Sequence, residues 1–114
     1  MDASRVERIA SNDATFRAAN EQIHDRAVEF GDVLTSSPFL CECADPSCTV
    51  VIRLHFPEYE RIRENPTWFL NAPGHSVAAG PYGEVVESNP RFEIVEKVGR
   101  AGEVASDLDA RRPE

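Results

Sequence analysis

Apolar positions recur every seven residues in the first third of the chain, at Ile9, Phe16, Ile23 and Phe30, with Ala19 and Ala27 on the same side. Arg17, Glu21, Asp25, Arg26 and Glu29 fall between them, so the spacing predicts one amphipathic helix with a core face and a wet face. His24 follows the core position Ile23 and is expected to be solvated. Ser11, Asn12 and Asp13 are candidate caps for the start of this helix, which leaves residues 1–11 as a flexible N-terminus, and Gly31 is a natural stop. A coiled coil needs roughly three or four clean heptads. Asn20 and Arg26 spoil the second stripe, so the expected role is packing on a sheet.

After the loop Thr35-Ser36-Ser37-Pro38 the pattern changes to period two and to β-branched residues. Phe39 to Cys43 reads as a short extended run, Ala44 to Ser47 as a turn, and Thr49 to Phe56 as the best strand in the chain. Pro57 opens a short helix from Glu58 to Arg63 or Glu64, with Tyr59 and Ile62 inward, and Asn65-Pro66 ends it. Thr67 to Leu70 is a further short apolar segment, strand or turn of helix, followed by a Gly- and Pro-rich loop from Asn71 to Gly83. Glu84 to Glu87 and Arg91 to Val98 read as a hairpin whose second strand alternates imperfectly and is expected to be partly covered on both faces. Beyond Gly99 only Val104 and Leu108 are large and apolar, so residues 101–114 are expected to form a loose acidic tail or a weak helix. The fold expected is α+β: a long N-terminal helix on a small, mostly antiparallel sheet of four or five strands. A single domain would span residues 12–100.

The length of 114 residues holds one domain, and its eleven Val, five Ile, five Leu and six Phe can build only a small core. Twelve basic residues against twenty acidic ones give a net charge of −8, which argues against a nucleic-acid partner because a phosphate-backbone footprint is basic. No apolar run approaches the ~20 residues of a bilayer span, and the N-terminal ten residues lack an apolar leader core, so the expected setting is cytoplasmic with no membrane attachment.

That setting changes the meaning of the cysteines. Three of them, an odd number, lie within eight residues as Cys41-x-Cys43-x4-Cys48, which reads poorly as a disulfide framework and well as a ligand cluster. Cys41 and Cys43 are two apart on an extended run and project to one face, and the Asp45-Pro46 turn can fold Cys48 back toward them. A fourth ligand is available in Ala72-Pro73-Gly74-His75, where Pro and Gly have the order of a type II turn that holds His75 on a stiff corner. Three thiolates and an imidazole are a standard tetrahedral set for Zn2+, and a closed set of four is structural rather than catalytic. His55, seven residues after Cys48, is the competing fourth ligand and reads more naturally as a surface imidazole. The other readings of the three cysteines are small buried hydrophobes, redox-active thiols or, least favoured, an iron–sulfur site. Glu42 and Asp45 read as solvated acids, Glu58 and Glu60 as helix surface, and Trp68 and Phe69 as core.

The stretch Pro38-Phe39-Leu40-Cys41-Glu42-Cys43-Ala44-Asp45-Pro46-Ser47-Cys48 and the Ala72-Pro73-Gly74-His75 motif resemble those of a group of small uncharacterised bacterial proteins, chiefly actinobacterial. Asn12 to Glu21 and Val95 to Gly99 are similar as well, so the resemblance runs from Asn12 to about Val104. It implies that Cys41, Cys43, Cys48 and His75 act as a unit, and it implies no activity. The expected function is a non-enzymatic, zinc-stapled interaction or regulatory module whose partner is another protein. The alternative is a thiol redox sensor that releases zinc on oxidation.

Overall fold

The computed structural model describes residues 3–29, 36–43, 45, 47–76 and 83–111, with side chains from residue 8 onward. Helix α1, Ala3–Glu29, opens the chain. It begins well before the expected caps: Ser11, Asn12 and Asp13 lie inside it, in a stretch rich in alanine, the strongest helix former. Asp13 is engaged across the fold and Thr15 within the helix. Thr15 Oγ1 donates back to the Ser11 carbonyl (2.9 Å), and the Asp13 carboxylate pairs with Lys97. Phe30 and Gly31 lie outside the described residues.

The buried face of α1 is not the heptad stripe. Ala10, Asp13, Ala14, Arg17, Asn20 and Glu21 are buried, whereas Ile9, Phe16 and Ile23 are only half-buried. Arg17 and Glu21, expected to be wet, are therefore inside. They can be there because other elements supply their partners: Arg17 donates to the carbonyls of Pro66 and Ala105 (2.5 and 2.7 Å) and lies over the Phe69 ring. A periodicity of side-chain polarity cannot register partners contributed by residues 49 and 88 positions away.

Strands β1, Ser37–Leu40, and β2, Val51–Leu54, form an antiparallel hairpin with Phe39 opposite Ile52. Helix α2, Phe56–Arg63, follows at once; Pro57 sits in its first turn and the Glu58 carboxylate accepts from the His55 amide (3.0 Å). Its Phe56, Tyr59 and Ile62 face the interior. Strands β3, Trp68–Asn71, β4, Gly83–Ser88, and β5, Glu93–Lys97, make a second antiparallel sheet in the order β3-β5-β4. The five strands are thus divided between two sheets. As the central strand, β5 buries residues of both faces, among them Ile94, Val95 and Lys97.

The segment after Val98 is ordered as helix α3, Gly99–Asp107, packed along α1. Its contact surface is made of small residues: Ala101 and Ala105 are fully buried, and a Cβ placed on Gly102 would stand 2.8 Å from the Lys97 carbonyl oxygen. Close approach of small side chains buries this helix with Val104 as its large apolar residue, which is why the sequence reads there as a loose tail or a weak helix. The main core lies between the hairpin, α2, β3 and β5, built on Phe39, Leu54, Tyr59, Ile62, Leu70 and Ile94. Phe39 and Tyr59 stack face to face, with centroids 4.3 Å apart and planes 6° apart. Among the described residues no helix is long and apolar enough to cross a membrane.

Candidate metal centre

The β1–β2 hairpin carries the three cysteines in its connection. The Cys41 amide still donates to the Val50 carbonyl (3.0 Å), which keeps the start of the connection in the hairpin. The chain then leaves that ladder for the other sheet, where the Glu42 amide donates to the Leu70 carbonyl of β3 (2.6 Å). It is turned back by Asp45, whose carboxylate accepts from the Ser47 amide and hydroxyl (2.9 and 2.7 Å) while the Cys48 amide donates to its carbonyl (3.1 Å). These bonds to Ser47 hold the Asp45 carboxyl below the usual aspartate range. On the other side, β3 runs into Ala72-Pro73-Gly74-His75. Gly74 takes a φ of 83° and the His75 amide donates to the Ala72 carbonyl (3.0 Å), closing the turn whose residues the sequence singled out.

The two arms meet. One ligand atom from each of Cys41, Cys43, Cys48 and His75 lies within 4.8 Å of all the others, a group that could hold a metal ion. His75 Nδ1 faces the sulfurs, 3.6 Å from Cys41 Sγ and 3.5 Å from Cys48 Sγ. Cys41 and Cys43 are buried, and Cys48 and His75 are half-buried. Burial pushes the Cys41 and Cys43 thiols up from their ordinary range. A cation entering the cluster must therefore displace protons from these two sulfurs. Cys41 Sγ also accepts a hydrogen bond from the Ala72 amide (3.2 Å), a contact that stabilises a thiolate.

His55 is not part of the group: it is exposed and precedes α2 as its N-cap. His24 is not solvated. Its side chain is 15% exposed, its ring stacks on Tyr59 (5.4 Å) and meets Phe56 edge-on (5.1 Å), and Nε2 stands 2.9 Å from the Glu60 carboxylate. Glu42 departs most from expectation, being 1% exposed with burial pushing its carboxyl up to about 7. The alternation that puts Cys41 and Cys43 on one face puts Glu42 on the opposite one, and that face is covered; the signal was in the Cys-x-Cys spacing itself. Asp45 is exposed, as expected. Glu58 pairs with Arg91 and Glu60 with Arg111, as helix-surface acids do. Phe69 is fully buried, and Trp68 is half-buried with its indole N–H donating to Glu96 (3.0 Å).

A surface depression of about 740 Å³ lies around Thr67, Lys97 and the start of α3, and none of the four cluster residues lines it. Comparison with known protein families, with curated proteins and with solved structures finds no match for this chain.

Proposed function

We propose that Cys41, Cys43, Cys48 and His75 bind one Zn2+ as a closed structural site, and that the chain is a non-enzymatic module which this ion staples. The observation that carries the reading is the convergence of the four ligand atoms within 4.8 Å of one another. Ligands at ~2.3 Å (sulfur) and ~2.05 Å (nitrogen) from a tetrahedral ion lie about 3.6 Å apart. The two imidazole–sulfur separations, 3.6 and 3.5 Å, have that length. Four protein ligands leave no coordination position for water or substrate, which makes the role structural. The ion would join the hairpin connection to the turn after β3 and so supply attachment between two sheets whose ladders are separate. Clustered free thiols fit a reducing, cytoplasmic setting. The partner of such a module would be another protein, met through exposed apolar positions such as Val50, Val51, Val85 and Val86.

Metal analysis of the purified chain with thiol counting tests the reading. One zinc per chain is expected, with the three thiols protected until a chelator removes it. His75→Ala should weaken zinc affinity and lower the melting temperature, and His55→Ala should leave affinity unchanged. A metal-free chain with three freely reacting thiols, or equal losses in the two variants, would overturn the assignment.

The half-buried position of Cys48 favours one alternative, a thiol sensor. Hydrogen peroxide would oxidise the Cys48 thiolate to a sulfenic acid with release of hydroxide. Condensation with the Cys43 thiol would then form a disulfide, release water and eject the ion. Zinc release by micromolar peroxide, reversed by a thiol reductant, distinguishes this from a purely structural site.

A further inference from the structure

The ladder of β1 ends at Leu40, yet the next residues must hold the Cys41 and Cys43 sulfurs a fixed distance apart and at a fixed height above the His75 turn. Backbone pairing supplies only part of this, through the bonds from Cys41 to Val50 and from Glu42 to Leu70. Two buried side chains supply the rest. Asn20, on α1, accepts from the Leu40 amide (2.7 Å) and donates to the Leu40 carbonyl (2.9 Å), taking the place a neighbouring strand would have. The same amide nitrogen donates to Glu42 Oε2 (2.7 Å). Glu42 Oε1 in turn accepts from the Leu70 amide (2.8 Å), so a side-chain oxygen stands where a β-ladder would offer a carbonyl.

The consequence reaches both arms of the cluster. Glu42 lies between two of the cysteines, and Leu70 lies two residues before Ala72, whose amide donates to Cys41 Sγ and whose carbonyl closes the His75 turn. One carboxylate therefore fixes the register of the cysteine run against the strand that delivers the histidine. Arg17 and Arg63 offset part of the cost of burying its charge. An apolar residue would fill the space at lower desolvation cost, but it could accept from neither Leu70 nor Asn20.

We propose that Glu42, held by Asn20, is the positioning residue of the metal centre: the pair sets the spacing between the cysteine run and the His75 turn before any ion arrives. The inference rests on the zinc-site reading above, and it extends the site to a helix that contributes no ligand. Groups that orient ligands from outside the coordination sphere commonly govern metal affinity by about 10–100-fold. In Glu42→Gln the new amide must point its donors at the Leu70 N–H or at the Asn20 amide, so one of the two bonds becomes a clash.

The test is a Co2+ titration of the full chain, with affinity read by chelator competition and geometry by the thiolate-to-cobalt and d–d absorption bands. Glu42→Gln and Asn20→Ala should each weaken Co2+ binding about 10–100-fold and perturb the tetrahedral bands. Val95→Ala, a buried destabilising change on β5, should leave both within about twofold of the unmodified chain. Wild-type affinity and bands in Glu42→Gln would overturn the inference while leaving the zinc reading intact. An equal loss in Val95→Ala would overturn it too, because general loosening would then suffice. Failure of the unmodified chain to bind Co2+ at all would instead remove the zinc reading. If the variants do not fold, amide exchange in the metal-free unmodified chain decides. Protected Leu40 and Leu70 amides are expected, and exchange at coil rates until metal is added would overturn the proposal.

Discussion

Two halves of the molecule are held together by different means. The half containing the hairpin, α2 and the cysteine run is an apolar core around Phe39, Leu54, Tyr59 and Ile62, ending at Cys41 and Cys43. Among the described residues, the half beneath α1 has a minor apolar cluster of Ala10, Ala101 and Val104, and its buried charged groups are held by ion pairs and hydrogen bonds. There Asp13 meets Lys97, Arg17 caps two carbonyls, and Glu21 gathers Tyr59, Arg63 and Arg111 while Asp109 holds Arg63. Burying apolar surface is favourable whatever the exact partner, whereas a buried charge stabilises only when its counter-group is in place. The first half should therefore lose stability gradually as side chains shrink, and the second should respond to whether partners are removed singly or together.

The largest effect expected is on the apolar side. Phe39→Ala removes a fully buried ring stacked on Tyr59 and should cost about 3–5 kcal/mol in urea-induced unfolding. On the charged side Lys97→Met should cost about 3 kcal/mol, because it strands Asp13 in a dry environment. Adding Asp13→Leu to that variant should restore most of the loss, since a pair of apolar residues of similar volume replaces a buried ion pair at little net cost. An additive loss in the double variant would break the contrast between the halves.

Arg111→Ala should do less, about 1 kcal/mol or below, because the guanidinium that forks between Glu21 and Glu60 is a third exposed. Its bonds hold the Glu60 carboxyl below the ordinary glutamate value of 4.5. The stabilisation is thus complete above pH 4.5 and fades as the pH falls through the lowered folded-state value, so Arg111→Ala and the unmodified chain should converge in acid. One pH effect has the opposite sign. Burial outweighs Lys97 and raises the Asp13 carboxyl from 3.8 to about 6, so the folded state holds this proton more tightly than the unfolded chain. Its ionisation costs stability that is fully lost above about pH 6 and recovered as the pH falls toward 3.8. Carboxyl carbon shifts followed by NMR should place its midpoint near 6.

The same contrast explains what could be read from the sequence. The first hairpin, α2, the paired strands β4 and β5 and the convergence of Cys41, Cys43, Cys48 and His75 follow from local patterns: β-branched runs, Pro57 at a helix start, Pro73-Gly74 at a turn. Those patterns report a residue's own preference and the face on which it lies. The orientation of α1 was hidden, because Asp13, Arg17, Asn20 and Glu21 are inside through partners between 20 and 90 positions away. The order of α3, left between a loose tail and a weak helix, was blurred for another reason, since Ala101, Gly102 and Ala105 bury a helix by nearness and carry little apolar weight in any count. Glu42 stood in plain view between two cysteines, and its single charge argued for water until the covering helix was seen.

The fork of Arg111 onto Glu21, 90 positions apart, has a consequence for how the chain comes into being. Synthesis produces α1 first, but the groups that neutralise its inward face, Lys97, the Ala105 carbonyl and Arg111, are made at the far end. Asn20 and Glu21 can meet Leu40, Glu42, Tyr59 and Arg63 sooner, whereas Asp13 waits for Lys97.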